Sequence, residues 1–401
     1  INLPSTLTSI GHDCFHRTNI SSITIPEGVT TLDYSTFRKC HSLKSVKLPA
    51  SLTKISNPIT HNYQVDDPDP NLEYGDHYIF EHSSGAFYDC INLETVDFGQ
   101  AAITEIDYYS FSSCPKLEAV DLSATKLTHI SDYAFGGDSL RIIKFPTTLE
   151  SIGIGAFSGT KVEELVFPAN LKTIENEAFT GCQKIRSVDL SATSLTTIGS
   201  WFSSDSLRTV KLPETVTTLA NYAFSSCPIE SINLPASLIN IGEHALSRSE
   251  ITNLVIPDNV TTIGNNAFIN GSFDQVTIPQ SVTSIGAAAF KYARIKNTLN
   301  ITPSDNLQLG ESALQCSSSG WYDSYHLTNV YWNSTTQFPK DKFGSIDYLY
   351  LPENGKVSNK EGIGYIFYNG ITDHIVINYT NNSNIYSYRL NNAIKTKEVT
   401  Y

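Results

Sequence analysis

One short pattern, repeated along most of the chain, restricts the fold more than any other feature. The tetrad aliphatic-x-aliphatic-Pro recurs as Ile23-Thr24-Ile25-Pro26, Val46-Lys47-Leu48-Pro49, Ile143-Lys144-Phe145-Pro146 and Leu165-Val166-Phe167-Pro168. It returns at residues 210–213, 232–235, 254–257 and 276–279. Pro-to-Pro spacing is mostly 22 or 23 residues, and ten of the 17 prolines, Pro4 and Pro352 included, fill this slot. The slot therefore demands a turn. Variants of the tetrad end at Gly99, Ser123 and Ser191 instead. The two aliphatic positions alternate with period two, which predicts a strand.

Two further signatures are linked to the tetrad. One reads Ile-Gly-x-x-Ala-Phe, as in Ile152-Gly153…Ala156-Phe157 and Ile263-Gly264…Ala267-Phe268. The other reads Leu-x-x-Val-x-Leu, as in Leu43…Val46…Leu48 and Leu117…Val120…Leu122. A unit this short has room for one strand, a Pro turn, a second extended stretch and a short helical turn. One unit cannot bury its own apolar side, so the units must stack. About fourteen of them are predicted, with strands ~4.8 Å apart. Phe15, Phe37, Phe87, Phe111, Phe135, Phe157, Phe179, Phe202, Phe224, Phe268 and Phe290 then form a spine of stacked rings, with Leu246 and Leu314 substituting.

These three signatures resemble the BspA-like subclass of leucine-rich repeats, found on bacterial surface proteins and some protist ones. The resemblance is strong over residues 1–302 and weak over 303–355. It implies an α/β repeat, mostly β: a leucine-rich-repeat solenoid with parallel strands, short helical turns and a C-terminal β cap. The expected organisation is a solenoid over 1–355, with an insertion at 57–84 and divergent repeats at 303–355, then a cap or small β segment over 356–401. The resemblance also implies export and a place at the cell surface or in secretion. Family members include adhesins for host matrix proteins or other cells. The chain shows no signal peptide and opens inside a repeat, Ile1-Asn2-Leu3-Pro4, a start that leaves room for an export signal ahead of it.

Charge and motifs exclude several function classes. The net charge of −13 opposes nucleic-acid binding, which needs a basic stripe. No apolar run of about 18 residues is present to insert in a membrane. The Gly-x-Ser-x-Gly elbow, the His-Glu-x-x-His zinc motif, the phosphate-binding loop and the dinucleotide fingerprint are all missing. The expectation is a protein that is not an enzyme, with no catalytic residues, no metal and no cofactor. Asp97 and Asp121 occupy equivalent slots and read as a repeated exposed column rather than a glycosidase pair.

Cys40, Cys90, Cys114, Cys182 and Cys227 each follow the spine Phe by three residues, so they read as a buried ladder position. Cys14 takes the Ala slot and is also expected in the core. Methionine is absent from all 401 residues. Three repeats fall one residue short, between Gly137 and Asp138, between Ser204 and Asp205, and near Trp201. A skipped methionine at each place accounts for both observations.

Two regions stand out as ligand contacts. The insertion carries Asp66, Asp67 and Asp69, and a long loop in a strict repeat is often functional. Near the C-terminal end, Leu327–Trp332 and Ile346–Leu351 place Tyr331, Tyr348 and Tyr350 outward, with Trp321 nearby. Such aromatics bury area while keeping a polar handle. The strand face itself exposes a mixed column of Thr24, Lys47, Asp97, Asp121, Lys144 and their successors. Together with the resemblance, these features predict a non-enzymatic surface or secreted binding protein, an adhesin for a protein on a host or neighbouring cell. The alternatives are a carbohydrate-binding accessory protein, with a glycan as partner, and a structural spacer that presents another domain.

Overall fold

A computed structural model of the chain describes residues 1–55, 85–137, 139–202, 206–316, 327–344, 346–352, 355–357, 363–368 and 371–376. They fall into two compact units, 1–195 with 200–207 and 196–199 with 208–401. Both are built from parallel β-solenoid coils, about 13 in all.

In the first unit, Ser22–Thr24, Ser45–Lys47 and Thr95–Asp97 form one parallel ladder. Ala119–Asp121 pairs in the same way with Ile142–Lys144. The two-residue strands from Thr31–Leu32 to Thr173–Ile174 form a second, six-stranded ladder. Val46 faces Val96 and Ile55 faces Ile106, so the coils on either side of residues 56–84 pair without a register slip. The spine forms as predicted. From Phe15 to Phe202, eight rings stack face to face with centroids 5.0 to 5.4 Å apart. The ring-to-ring distance follows from the coil spacing, because each Phe is fixed by its own coil.

The predicted short helical turns do not form. Among the described residues the one helical segment is a 3-10 turn at Lys340–Lys342. The reason lies in where the amides point. Around the spine Phe, alternate N–H groups bond within the turn and across to the next coil. Thr36, Arg38 and Cys40 donate three residues back, to Asp33, Ser35 and Phe37. Phe37 and Lys39 donate instead to Ala86 and Tyr88 of the next coil, at 2.7 and 2.9 Å. The residues two before and two after the ring have left-handed backbone, as in Ser35 (φ 54°) and Lys39 (φ 57°). A left-handed residue on each side of the ring stops a right-handed helix from propagating.

The variants of the Pro turn have a chemical explanation. Asp97, Asp121 and Asp189 occur only in the coils that lack the Pro. Each accepts a hydrogen bond from the backbone N–H two residues on, Gly99, Ser123 or Ser191, at 3.0 Å. The side chain thus closes the turn that the Pro ring would otherwise preset. The column of exposed aspartates is a column of turn closers.

The cysteine ladder, Cys40, Cys90, Cys114, Cys182 and Cys227, is buried. The Sγ of Cys40, Cys90, Cys114 and Cys182 each donates to the spine Phe carbonyl of the coil before, that of Phe15, Phe37, Phe87 and Phe157, at 2.8 to 3.3 Å. Burial pushes the Cys182 thiol up to about 11. Cys14 departs from expectation: it is exposed, since among the described residues no coil covers its side of the first turn. The shortfall near Trp201 lies between Ser200 and Trp201. Glu177 N bonds Ser200 O and Phe179 N bonds Trp201 O, where the neighbouring coil uses Asn176 and Ala178, two residues apart. The coil closes without its left-handed residue, and Trp201 fills the Ala slot fully buried. The other two shortfalls, at Asp138 and at 203–205, fall outside the described residues.

In the second unit, Thr197–Ile198 begins a six-stranded ladder that runs to Gln308–Leu309. Gly264 and Gly286 are required here: a Cβ would lie 2.6 and 2.5 Å from the backbone of the coil before. A longer sheet runs from Asn253–Val255 through Ser272–Ile278, Arg294–Ile301, Leu327–Trp332 and Ile346–Leu351 to Ile363–Tyr368, all parallel. Ile371–Val376 then adds antiparallel. Among the described residues, no helix is long and apolar enough to cross a membrane.

Candidate functional site

The strands widen toward the C-terminal end. Up to Asn253–Val255 the tetrad strands have three residues; Ser272–Ile278 has seven, Arg294–Ile301 eight, and Leu327–Trp332 and Ile346–Leu351 six. Alternation sorts their side chains strictly. Leu299, Val330, Leu349 and Ile366 are fully buried in one inward column. Trp332 also turns inward, edge-on to Phe338 and Phe343, and its indole N–H donates to Thr336 O at 3.2 Å. These aromatics take over the job of the Phe spine.

The outward columns gain area from the longer strands. Register places Asn300, Tyr331 and Tyr350 side by side, and Thr298, Asn329 and Tyr348 beside them. The Tyr331 and Tyr350 rings stack with centroids 4.2 Å apart and planes 6° from parallel. The Tyr350 hydroxyl donates to Asn329 Oδ1 at 3.3 Å. Asn333 Nδ2 donates to Asn300 Oδ1 at 2.6 Å. All three tyrosines are half-buried. Burial, then the neighbouring Tyr331 and Tyr348, raises the Tyr350 phenol above its ordinary pKa, so it stays neutral and donating at any physiological pH. The result is a flat aromatic step bordered by amides, able to stack on an apolar surface and hydrogen-bond at its rim.

The structure thus brings Tyr331, Tyr348 and Tyr350 onto one face. Asp66, Asp67, Asp69 and Trp321 lie outside the described residues. Sequence reasoning passed over the ring pairs at the turns. Tyr109 and Tyr133 stack at 5.1 Å and Tyr222 and His244 at 5.2 Å. Each of these residues sits two before the spine position, a regularity that was available in the sequence.

One pair has the outline of a nucleophile and its base. His129 Nδ1 lies 2.6 Å from Ser151 Oγ, and Glu105 is the register neighbour of His129. The Ser151 N–H, however, donates to Thr128 O within the sheet, so it is not free to stabilise an oxyanion. Asp121 is likewise engaged. Hydrogen bonds from Ser123 and Lys144 hold its carboxyl down at about 2. No group of three or more metal-ligating side chains occurs among the described residues.

The model of the BspA-type leucine-rich repeat region matches in six copies over residues 1–69, 77–186 and 196–319. The chain belongs to this family. Its repeats also resemble solved structures. A leucine-rich repeat protein from Bacteroides ovatus is 18% identical, with 83% of this chain and 87% of that one covered and a TM-score of 0.47. A leucine-rich cell surface protein from Faecalibacterium prausnitzii is 20% identical, covering 78% and 87%, with a TM-score of 0.39. The pneumococcal vaccine antigen PcpA is 16% identical, covering 86% and 85%, with a TM-score of 0.39. No match was found among curated proteins. The BspA-type match fits the geometry: stacked coils, a buried Phe spine and strand faces turned outward.

Proposed function

We propose that this BspA-type chain is a non-enzymatic, cell-surface or secreted binding protein, an adhesin for a protein on a host or neighbouring cell. The Tyr331–Tyr350 step with Tyr348 is its contact face. One observation carries this reading: two stacked, half-buried tyrosines stand outward where the core already has its own aromatics. A tyrosine needed only for packing would turn inward like Trp332. Large, rigid aromatics that keep a hydrogen-bonding tip dominate binding energy at protein interfaces. Trp321 belongs to the same proposal, and Asp66, Asp67 and Asp69 to a second contact in the insertion. Residues 356–401 belong to the proposal as a C-terminal β cap or small β segment; the antiparallel pairing of Ile371–Val376 with Ile363–Tyr368, the last strand of the parallel run, supports it.

A glycan ligand is the second reading. Parallel tyrosine rings bordered by Asn300, Asn329 and Asn333 suit the apolar face and rim hydroxyls of a sugar. Solid-phase binding of the chain to matrix proteins, beside a glycan array, separates the two. A Tyr331→Ala/Tyr350→Ala variant loses the interaction in whichever arm is correct. Unchanged binding by that variant sinks the proposed face, and binding in neither arm favours the spacer.

A further inference from the structure

The first coils carry a cluster of cations that the later coils of the first unit do not repeat. The slot just after the spine ring holds His16, Arg38 and Tyr88 in successive coils, and the next slot holds Arg17, Lys39 and Asp89. Farther along, the same slots hold Ser112, Gly136 and Ser158, then Ser113, Gly137 and Gly159. Backbone bonds lock the slots in register, from Arg17 N to Arg38 O and from Lys39 N to Tyr88 O, each 2.9 Å. Coils stack at ~4.8 Å, so the side chains of one slot are near neighbours.

These cations lack the usual partners. Elsewhere in this unit Lys54, Lys144 and Lys172 each meet a carboxylate of an adjacent coil, Glu105, Asp121 and Glu150. Arg17, Arg38 and Lys39 form no ion pair among the described residues. The acids nearby are taken: Asp13 lies 3.3 Å from His16 Nδ1, and Asp89 lies 3.3 Å from His41 Nε2. The Arg38 guanidinium rests 5.8 Å above the Tyr88 ring, which orients its plane. Two nitrogens in this corner are buried without a hydrogen-bond partner, Arg38 Nε, a donor, and His16 Nε2, which donates once the ring is protonated. Buried polar groups are almost always satisfied, so this unpaired pair at one corner asks for an acceptor from outside the chain.

We infer that the corner formed by His16, Arg17, Arg38 and Lys39 is a binding site for a tetrahedral oxyanion, a sulfate or phosphate monoester. Cations from two coils and two slots lie close enough to act on His16 together, and such a cluster suits an anion with acceptors on every side better than a planar carboxylate. Arginine supplies directed, charge-assisted hydrogen bonds and lysine a mobile point charge. A net charge of −13 makes this corner an exception on the molecule. Burial, with Arg38, Arg17 and Lys39 opposing protonation and Asp13 favouring it, lowers the His16 pKa below 6.5. A bound anion favours the protonated ring, so sulfate binding tightens as pH falls and His16 takes up its proton.

The test is calorimetric titration of the full chain at low ionic strength with sodium sulfate, sodium phosphate and sodium acetate. A sulfated disaccharide and a phosphoserine peptide, each beside its unmodified parent, then identify the source. The expected result is one saturable site for sulfate or phosphate, weakened about tenfold or more by Arg38→Gln. Arg17→Gln/Lys39→Gln gives the same loss with an unchanged melting temperature, because Arg17 is exposed and Lys39 half-buried. Lys126→Gln, on a distant coil, leaves binding as it was. Absence of saturable oxyanion binding overturns the proposal. So does acetate binding as tight as sulfate, or equal affinity in the Arg17→Gln/Lys39→Gln variant.

Discussion

The first unit and the C-terminal sheet of the second solve the same stacking problem differently. In the first, a single residue type does the packing. Phe rings stack coil on coil, strands last three residues, and the exposed strand positions are largely occupied by turn closers and cross-coil ion pairs. In the second, the core switches to Trp332, Phe338 and Phe343, the strands double in length, and outward tyrosines appear that close no turn. The difference teaches that strict repetition uses up the outward slots of the strand face. In the first unit many of them serve the stack, and the proposed tyrosine face lies where longer strands leave slots over.

The largest expected effect comes from breaking the spine. Phe111 is fully buried and stacked on both sides, so Phe111→Ala should cost about 3–5 kcal/mol, read by denaturant unfolding. Tyr331→Ala should cost well under half of that. Similar losses in the two variants would erase the distinction between packing and outward aromatics.

Next in size is the coil contact at Gly264. Its Cβ would meet backbone rather than a flexible side chain, so Gly264→Ala should destabilise the second unit by about 1–3 kcal/mol. A neutral result would mean that adjacent coils can separate, and that the stacking is looser than in the first unit.

A smaller effect tests the turn closers. Asp121→Ala should cost roughly 0.5–1.5 kcal/mol, the usual net worth of a hydrogen bond. Adding Ser123→Pro should recover much of it, because the Pro turn and the Asp turn do the same work. Failure of that rescue would show that the two turns are not interchangeable.

The smallest effect is the acid response. The Asp121 carboxyl is held at about 2, below its ordinary 3.8, so folding is favoured while it is ionised. That contribution is complete above pH 3.8 and is lost as pH falls toward 2. The carboxylate is more than half exposed, so solvent screening keeps the change small. Acid titration of Asp121→Asn beside the parent should show a slightly flatter loss of stability in that window. Identical curves would mean that the carboxylate contributes nothing beyond its neutral isostere.

Much of this architecture was legible residue by residue. Pro26 and its equivalents marked the turns, Phe15 to Phe290 marked the spine, and Cys40 to Cys227 marked a buried ladder. Each prediction rested on one slot obeying one local rule. The helical turn was misread because its length suits a helix, whereas its amides are drawn to the neighbouring coil, as Phe37 N is to Ala86 O. Cys14 was misread because its slot is buried only when another coil covers it. The outward direction of Tyr331 and Tyr350 followed from alternation, but their stacking did not, since 19 residues separate them in the chain.

The sequence by itself determined the repeat, the direction of each side chain along the strands and the residues able to sit at each turn. Those are local matters, set by backbone sterics and by period two. Only the tertiary structure decided which amides cross between coils, which rings touch and where charges gather without partners. These depend on contacts between slots some 22 residues apart, and such a contact exists only once the coils have stacked.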